Sequence, residues 1–286
     1  QGSHLGPLLF NLCINSFPDA PASSTLSLFA DDSNLILVSP ANTSLPIHHA
    51  LLQTDIDKCC QWSSATAMTF NTSKCVHLPF QKYALAPGPS SPLTMNGVPI
   101  QKGDSHCHLG VTITPSLNFS DHIKSITHKF RSRVFLLRHM AHFLSASTVN
   151  LLYKCYVRPL LEYAVPVWSF AVSHSDSLTL DRLQAVAARS YLLCKTRHPP
   201  EWETPKQILN RTCDWSSLKW RRQILSLLYF HHVFYQFPSL LIRFKFNVSL
   251  SCRHPSSIVL PRSGAHFLKS PLFSLSVEWN KLPEHI

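Results

Sequence analysis

Leu26-Ser-Leu-Phe-Ala-Asp-Asp-Ser-Asn-Leu-Ile-Leu-Val38 is the stretch from which the fold can be read. Two apolar runs of strand length, residues 26–30 and 35–38, meet at Asp31 and Asp32, and a polar pair this short between such runs reads as the turn of a β-hairpin. Adjacent side chains of a straight strand point to opposite faces, so neighbouring carboxylates converge on one ligand only where the backbone bends between them. Two unpaired carboxylates side by side repel each other, which is tolerable in solvent or over a bound divalent cation. On these residues alone, an ordinary polar hairpin tip and a cation site both fit.

Composition narrows the choice. The 286 residues are enough for two packed units, and a hydrophobic fraction of 45% is that of a globular protein. Lys and Arg number 26 against 15 Asp and Glu, a net charge of +11 that suits a polyanion such as nucleic acid. Only 14% of residues are charged, so the excess reflects scarce acids as much as abundant bases. Nine cysteines, scattered without a Cys-x-x-Cys pair and odd in number so that they cannot all pair within one chain, read as reduced, intracellular thiols. The only local clusters, Cys59-Cys60 and His106-Cys107-His108, lack zinc-ligand spacing. Asn71 and Asn118 begin Asn-x-Ser/Thr triplets, but no secretory signal precedes them. Lys154, Arg158 and Glu162 interrupt the best apolar run, so no membrane span is expected.

Ordered motifs along the chain carry a family resemblance. Gln1-Gly-Ser-His-Leu-Gly-Pro-Leu-Leu-Phe10, Ile14-Asn15 and Phe29-Ala-Asp-Asp32 resemble the palm of a reverse transcriptase from a LINE-type, non-LTR, jockey-like retrotransposon. Asn71-Thr-Ser-Lys-Cys75 is similar to the palm segment after the catalytic hairpin, and Leu109-Gly-Val-Thr-Ile113 to the primer-grip strand. Leu151-Leu-Tyr153, Tyr156-Val-Arg-Pro-Leu-Leu-Glu-Tyr-Ala164 with Val167-Trp168, and Leu183-Gln-x-x-Ala-x-Arg189 resemble its thumb. Trp279-Asn-Lys-Leu-Pro283 resembles the closing segment of such open reading frames. Two residues depart from the pattern: His4 stands at a position that is usually apolar, and Ser16 where the family generally has Asp.

The resemblance implies an RNA template, a DNA primer, deoxynucleoside triphosphates and Mg²⁺ as cofactor, in the nucleus or cytoplasm. Asp31 would be the main metal ligand with Asp32 contributing beside it, and Lys74 would protonate the pyrophosphate leaving group. Gln1, Gly2 and Ser3 would touch the incoming nucleotide and template, and Gly110 would let the backbone approach the primer end. The family's earlier palm motif, with another metal-binding Asp, is not among these residues, and the chain opens mid-motif. It is therefore expected to be a piece of a longer protein and, by itself, not to extend a primer. The alternatives are a non-catalytic nucleic-acid-binding fragment and a degenerate pseudogene product.

The predicted fold is α+β: a partial palm over residues 1–114, a small antiparallel sheet with flanking helices, then a helical thumb over 115–200 and a helical and irregular segment over 201–286. Helices are expected near residues 7–15, 48–63, 120–141, 147–161, 177–194 and 215–237. Leu51, Leu52, Ile56 and Cys59 should share the buried face of the second. Residues 69–80 should be extended, 82–92 a loop, and Asn96-Gly97 a hairpin turn. From Ser120, a candidate N-cap, the period changes from two to three and a half: Ile123, Ile126, Phe130, Val134, Leu137 and Ala141 form an apolar stripe. Lys124, Lys129, Arg131, Arg133 and Arg138 should line a basic surface for phosphate contact, with Lys219, Arg221 and Arg222 adding to it later in the chain.

Overall fold

The computed structural model describes residues 3–40, 43–80, 91–196, 207–209, 215–237, 247–248, 258–259 and 271–282. The chain divides into two compact units, Gln1–His106 with Thr114–Leu117, and Cys107–Ile113 with Asn118–Ile286. Residues 82–90 of the loop expected at 82–92, the proline break at 198–200 and most of the chain from Pro238 to Ser270 lie outside the described residues.

In the first unit, helix α1 (Leu5–Ile14) leads to the hairpin of β1 (Thr25–Phe29) and β2 (Asp32–Ile36). The register pairs Phe29 with Asp32, so the two turn residues are Ala30 and Asp31, not Asp31 and Asp32 as the apolar runs suggested. This register sets Leu26 opposite Leu35 and draws the polar Asp32, Ser33 and Asn34 into the ladder. Backbone groups must be paired, and here pairing outweighs the low strand propensity of these residues. Ala30 takes the left-handed backbone (φ 51°) that a turn this tight demands.

Helix α2 (Leu45–Thr66) buries Leu52 and Ile56 in a cluster with Cys60 and Leu93, against which Leu35, Leu37, Met95 and Ile100 pack. Leu51, expected on that face, sits at its margin with 38% exposure. A second contact fixes the other end of α2: Phe17 stacks on Trp62 at 4.3 Å between ring centroids, and Trp62 Nε1 donates to Ser16 Oγ at 3.0 Å.

Asp55 on α2 is 1% exposed, and its carboxylate accepts the backbone N–H groups of Ala22 (2.8 Å), Ser23 (3.0 Å) and Ser24 (2.7 Å). Burial alone would raise this carboxyl group, but the N–H donors outweigh it and hold its pKa below the ordinary 3.8. A carboxylate whose pKa is lower folded than unfolded stabilises the fold above its unfolded value, and that stability fades as pH falls through the folded value. Melting temperature measured between pH 7 and 2.5 should therefore fall below about pH 4. In Asp55→Asn the melting temperature should be lower at neutral pH and the acid limb shallower; an unchanged acid limb would show that Asp55 does not drive it.

One small antiparallel sheet was expected; the described residues instead form separate two-stranded ladders. β3 (Val76–His77) pairs in parallel with β6 (Gln101–Lys102), and β4 (Thr94–Met95) pairs antiparallel with β5 (Val98–Pro99). The turn between β4 and β5 is the one read from Asn96-Gly97, both left-handed at φ 51° and 77°. The extended run expected over 69–80 is broken by a 3₁₀ turn, Thr72–Lys74. There Ser73 Oγ donates to Asn71 Oδ1 at 2.6 Å, a local bond that competes with strand pairing.

In the second unit, β7 (His106–His108) pairs with β8 (Val111–Ile113), whose Val111 enters the helical core. Helix α3 (Ser120–Met140) buries Ile123, Ile126, Phe130, Val134 and Leu137 as the period predicted. Ser120, expected as the N-cap, is the first residue of the helix; the N-cap is Phe119, without a side-chain cap bond, and Asn118 Oδ1 before it accepts from Ser120 N at 2.9 Å. The single helix expected over 147–161 is α4 (Ala146–Leu152), a π-turn (Tyr153–Val157) and α5 (Pro159–Glu162). Pro159 has no N–H and crowds the preceding turn, and the widened π-turn accommodates it. Next come α6 (Val165–Trp168), α7 (His174–Thr196) and α8 (Leu218–Gln236). Pro271, read as part of an irregular tail, starts α9 (Pro271–Trp279), whose Leu275 and Trp279 bury against Phe230 and Val233 of α8.

Candidate functional site

Asp31 and Asp32 are brought together at the exposed tip of the β1–β2 hairpin, Asp31 in the turn and Asp32 as the first residue of β2. Asp32 is paired across the ladder with Phe29, which is 64% exposed. Among the described residues no three His, Cys, Asp or Glu side chains gather as a metal-binding set. Mg²⁺ takes hard oxygen ligands in a near-octahedral shell. Two adjacent carboxylates fit as part of such a shell, the remainder coming from phosphate, water or further acids.

Lys74 ends the Thr72–Lys74 turn of the same unit and is exposed. Ser3 lies just before the N-cap of α1, His4, and its Oγ accepts from Leu5 N at 3.2 Å; Gln1 and Gly2 lie outside the described residues. Gly110 belongs to the second unit, where Leu109 and Gly110 (φ 45° and 78°) form the turn between β7 and β8. Tyr163 covers that turn: its hydroxyl donates to Leu109 O at 2.7 Å, and a Cβ on residue 110 would stand 3.4 Å from its ring. Glycine is favoured there by the left-handed backbone, while the Tyr163 ring would stand at ordinary van der Waals distance from an added Cβ. His122 of α3 steadies β8, its Nδ1 accepting from Thr112 N at 3.4 Å; burial first, then Lys129, depress its pKa.

The basic surface expected on α3 divides in two. At about 100° per residue, Lys124, Arg131 and Arg138 recur every seven residues along one exposed stripe, while Lys129 and Arg133 lie about 140–180° round the helix. Lys124 bonds to Asp121 at 3.2 Å. Arg133 is engaged within the fold: its guanidinium lies 4.2 Å above the Tyr156 ring and donates to Tyr156 O. Two of the α8 cations are engaged as well. Arg221 clasps Glu162 through Nε and through Nη2 at 3.1 Å, and Arg222 is 6% exposed.

Sequence reasoning assigned no role to the residues that tie this unit together, although its motifs contained them. Glu162 joins Arg221 and, at 3.3 Å, Arg158. Gln184 is fully buried, donating to Tyr153 OH (3.1 Å) and Ser216 O (3.0 Å). Trp168 Nε1 donates to Tyr163 O at 2.9 Å. Tyr153 stacks on Trp215 at 3.6 Å, and burial raises its phenol far above the ordinary range. The available signal was polar residues held inside otherwise apolar stretches, which fold only when hydrogen-bonded.

The two-carboxylate hairpin, the lysine turn and the Leu109–Gly110 turn all fall within one matched stretch of sequence. Residues 1–113 match the reverse transcriptase (RNA-dependent DNA polymerase) family. Beyond this reverse transcriptase match, the chain is 30% identical over 178 residues to the RNA-directed DNA polymerase from mobile element jockey of Drosophila funebris, an alignment covering 60% of this chain and 19% of that protein. It is 28% identical over 202 residues to the jockey polymerase of Drosophila melanogaster, covering 66% and 21%. It is 24% identical over 233 residues to the retrovirus-related Pol polyprotein from type-1 retrotransposable element R1 of Bradysia coprophila, covering 79% and 22%. The chain thus spans about a fifth of the length of these relatives. No solved structure matches it. Among the described residues no helix is long and apolar enough to cross a membrane, and the seven described cysteines are free of disulfides.

Proposed function

We propose that this chain is part of the RNA-directed DNA polymerase of a jockey-like, non-LTR retrotransposon, with residues 1–114 as palm, 115–200 as thumb and 201–286 as a C-terminal segment. The observation that carries this reading is the reverse transcriptase match over residues 1–113, with Asp31 and Asp32 at an exposed hairpin tip inside it. Its substrates are an RNA template, a DNA primer and deoxynucleoside triphosphates. Asp31 and Asp32 would hold divalent cations, typically Mg²⁺, which when bound supply charge neutralisation at the triphosphate and activation of the primer hydroxyl. Asp31 lies in the turn at the exposed tip, and Asp32 beside it is the first ladder residue of β2. Lys74 would donate a proton to the leaving pyrophosphate, and the Leu109–Gly110 turn, fastened by Tyr163, would support the primer end.

Primer extension on an RNA template tests this reading. A polymerase containing this chain together with further palm sequence should extend the primer. Residues 1–286 alone should not, because Asp31 and Asp32 are one part of the carboxylate set that positioning of two cations requires. Extension by residues 1–286 alone would refute the second statement, and no extension by the longer protein the first.

RNA binding should be carried by the exposed stripe of α3. Replacing Arg131 and Arg138 by Ala should lower the slope of log affinity against log salt by about 0.7–0.9 for each phosphate no longer neutralised. Arg133→Ala should leave that slope unchanged and cost about 0.5–1 kcal/mol of stability, since its charge rests on Tyr156. Filter binding across a salt series and a melt distinguish the two, and an equal slope change for both would remove the stripe from the account.

A further inference from the structure

A cavity of about 330 Å³ lies within the second unit, walled by the start of α7, one face of α8 and part of α9. Lys219, Arg222 and Ser226 of α8 line it at intervals of three and four residues, which places them on one side of that helix. Opposite stand His174 and Ser177 from the first turn of α7, and in all five serine side chains line the wall. The lining is therefore rich in donors.

Arg222 is the unusual member. It is 94% buried by its 6% exposure, its Nη2 donates to Ser177 Oγ at 3.2 Å, and its Nη1, with no contact to water, has no hydrogen-bond partner among the described residues. Asp181 on α7 acts on it by charge, yet no hydrogen bond joins the two, and the Asp181 Oδ1 atom is likewise buried and unpaired. Burying a guanidinium without a hydrogen-bonded carboxylate is costly, and an anion in the cavity beside Arg222 would offset its charge. One carboxylate, that of Glu278, is in the wall itself and pairs with Lys281 at 2.6 Å; Asp176, outside the lining, accepts from Ser173 Oγ at 2.6 Å. The start of the 23-residue helix α7 adds its partial positive charge on the same side.

We infer that this cavity is a binding site for a phosphate group, held by Arg222 and Lys219 with the serine hydroxyls completing its shell. A planar guanidinium, a point cation and several hydroxyl donors converging on one space suit a tetrahedral oxyanion with many acceptor positions better than a carboxylate with two oxygens. The assignment does not depend on the polymerase reading, because every residue in it lies outside the matched residues 1–113.

Calorimetric titration of the full chain with inorganic phosphate, against acetate and chloride at matched ionic strength, tests the site. Phosphate should bind saturably and acetate should not. Lys219→Gln, at an exposed position that folding tolerates, should weaken phosphate binding about tenfold, the equivalent of one charge-assisted hydrogen bond. Arg222→Met should abolish it, and Lys102→Gln, exposed on β6 of the first unit, should leave it unchanged. A short single-stranded RNA separates two sources of the phosphate: displacement of bound phosphate by RNA assigns the site to a backbone phosphodiester, and no displacement to a free phosphate or mononucleotide. Equal binding of acetate, absence of saturable binding, or an unaltered affinity in Lys219→Gln would overturn the inference.

Discussion

Asp31→Asn, introduced into a polymerase that contains this chain, is expected to lower primer extension by about 10²-fold or more while leaving RNA binding intact. The asparagine keeps size and turn geometry but removes the charge that holds a divalent cation, and small misplacements of reacting groups cost this much. Asp31 is a turn residue and exposed, so packing is untouched and stability should change little. Asp32→Asn should be milder, because Asp32 is first in β2 and its position is set by pairing with Phe29. Single-turnover extension at several Mg²⁺ concentrations would separate the two. Equal extension by the wild type and Asp31→Asn would remove Asp31 from the cation site and leave the fold assignment standing.

The largest loss of stability should come from Glu162→Gln. Its carboxylate lies between Arg221 and Arg158, and the three side chains are only 15–26% exposed. Glu162 also raises the pKa of Arg221, chiefly through their hydrogen bond, which marks the charge as stabilising there. Removing one partner of such a largely buried group leaves the cations uncompensated, a cost of about 3 kcal/mol. For a unit of this size that corresponds to roughly 6–12 °C in melting temperature. The double variant Glu162→Gln with Arg221→Met should recover part of the loss, since it also removes one of the stranded cations. Denaturant titration of the wild type and both variants would show this. A loss below about 1 kcal/mol for Glu162→Gln would mean that the network behaves as a surface ion pair.

Residue pattern alone determined the elements whose cause is local. The apolar stripe from Ile123 to Leu137 could be read because a 3.6-residue period places those side chains on one face wherever the helix packs, and all five are buried. Asn96-Gly97 could be read because few residues accept two successive left-handed conformations. The Asp-Asp hairpin was legible as a hairpin, and the resemblance of its flanks pointed to the domain that residues 1–113 match.

Tertiary structure decided what depends on partners distant in sequence. The hairpin turn moved to Ala30 and Asp31 because cross-strand pairing of Leu26 with Leu35 and satisfaction of the backbone outweighed the polarity of Asp32. Charge content did not reveal which cations are engaged within the fold: Arg133 lies against Tyr156, 23 residues away, and Arg221 against Glu162, 59 residues away. Lys124, Arg131 and Arg138 stay exposed because they lie away from the buried stripe of α3. Helix α1 marks the same boundary from the other side. Its sequence suffices to make a helix, yet Leu8, Leu9 and Leu12 are 60–75% exposed, because what a helix buries is set by its neighbours and not by its own propensity.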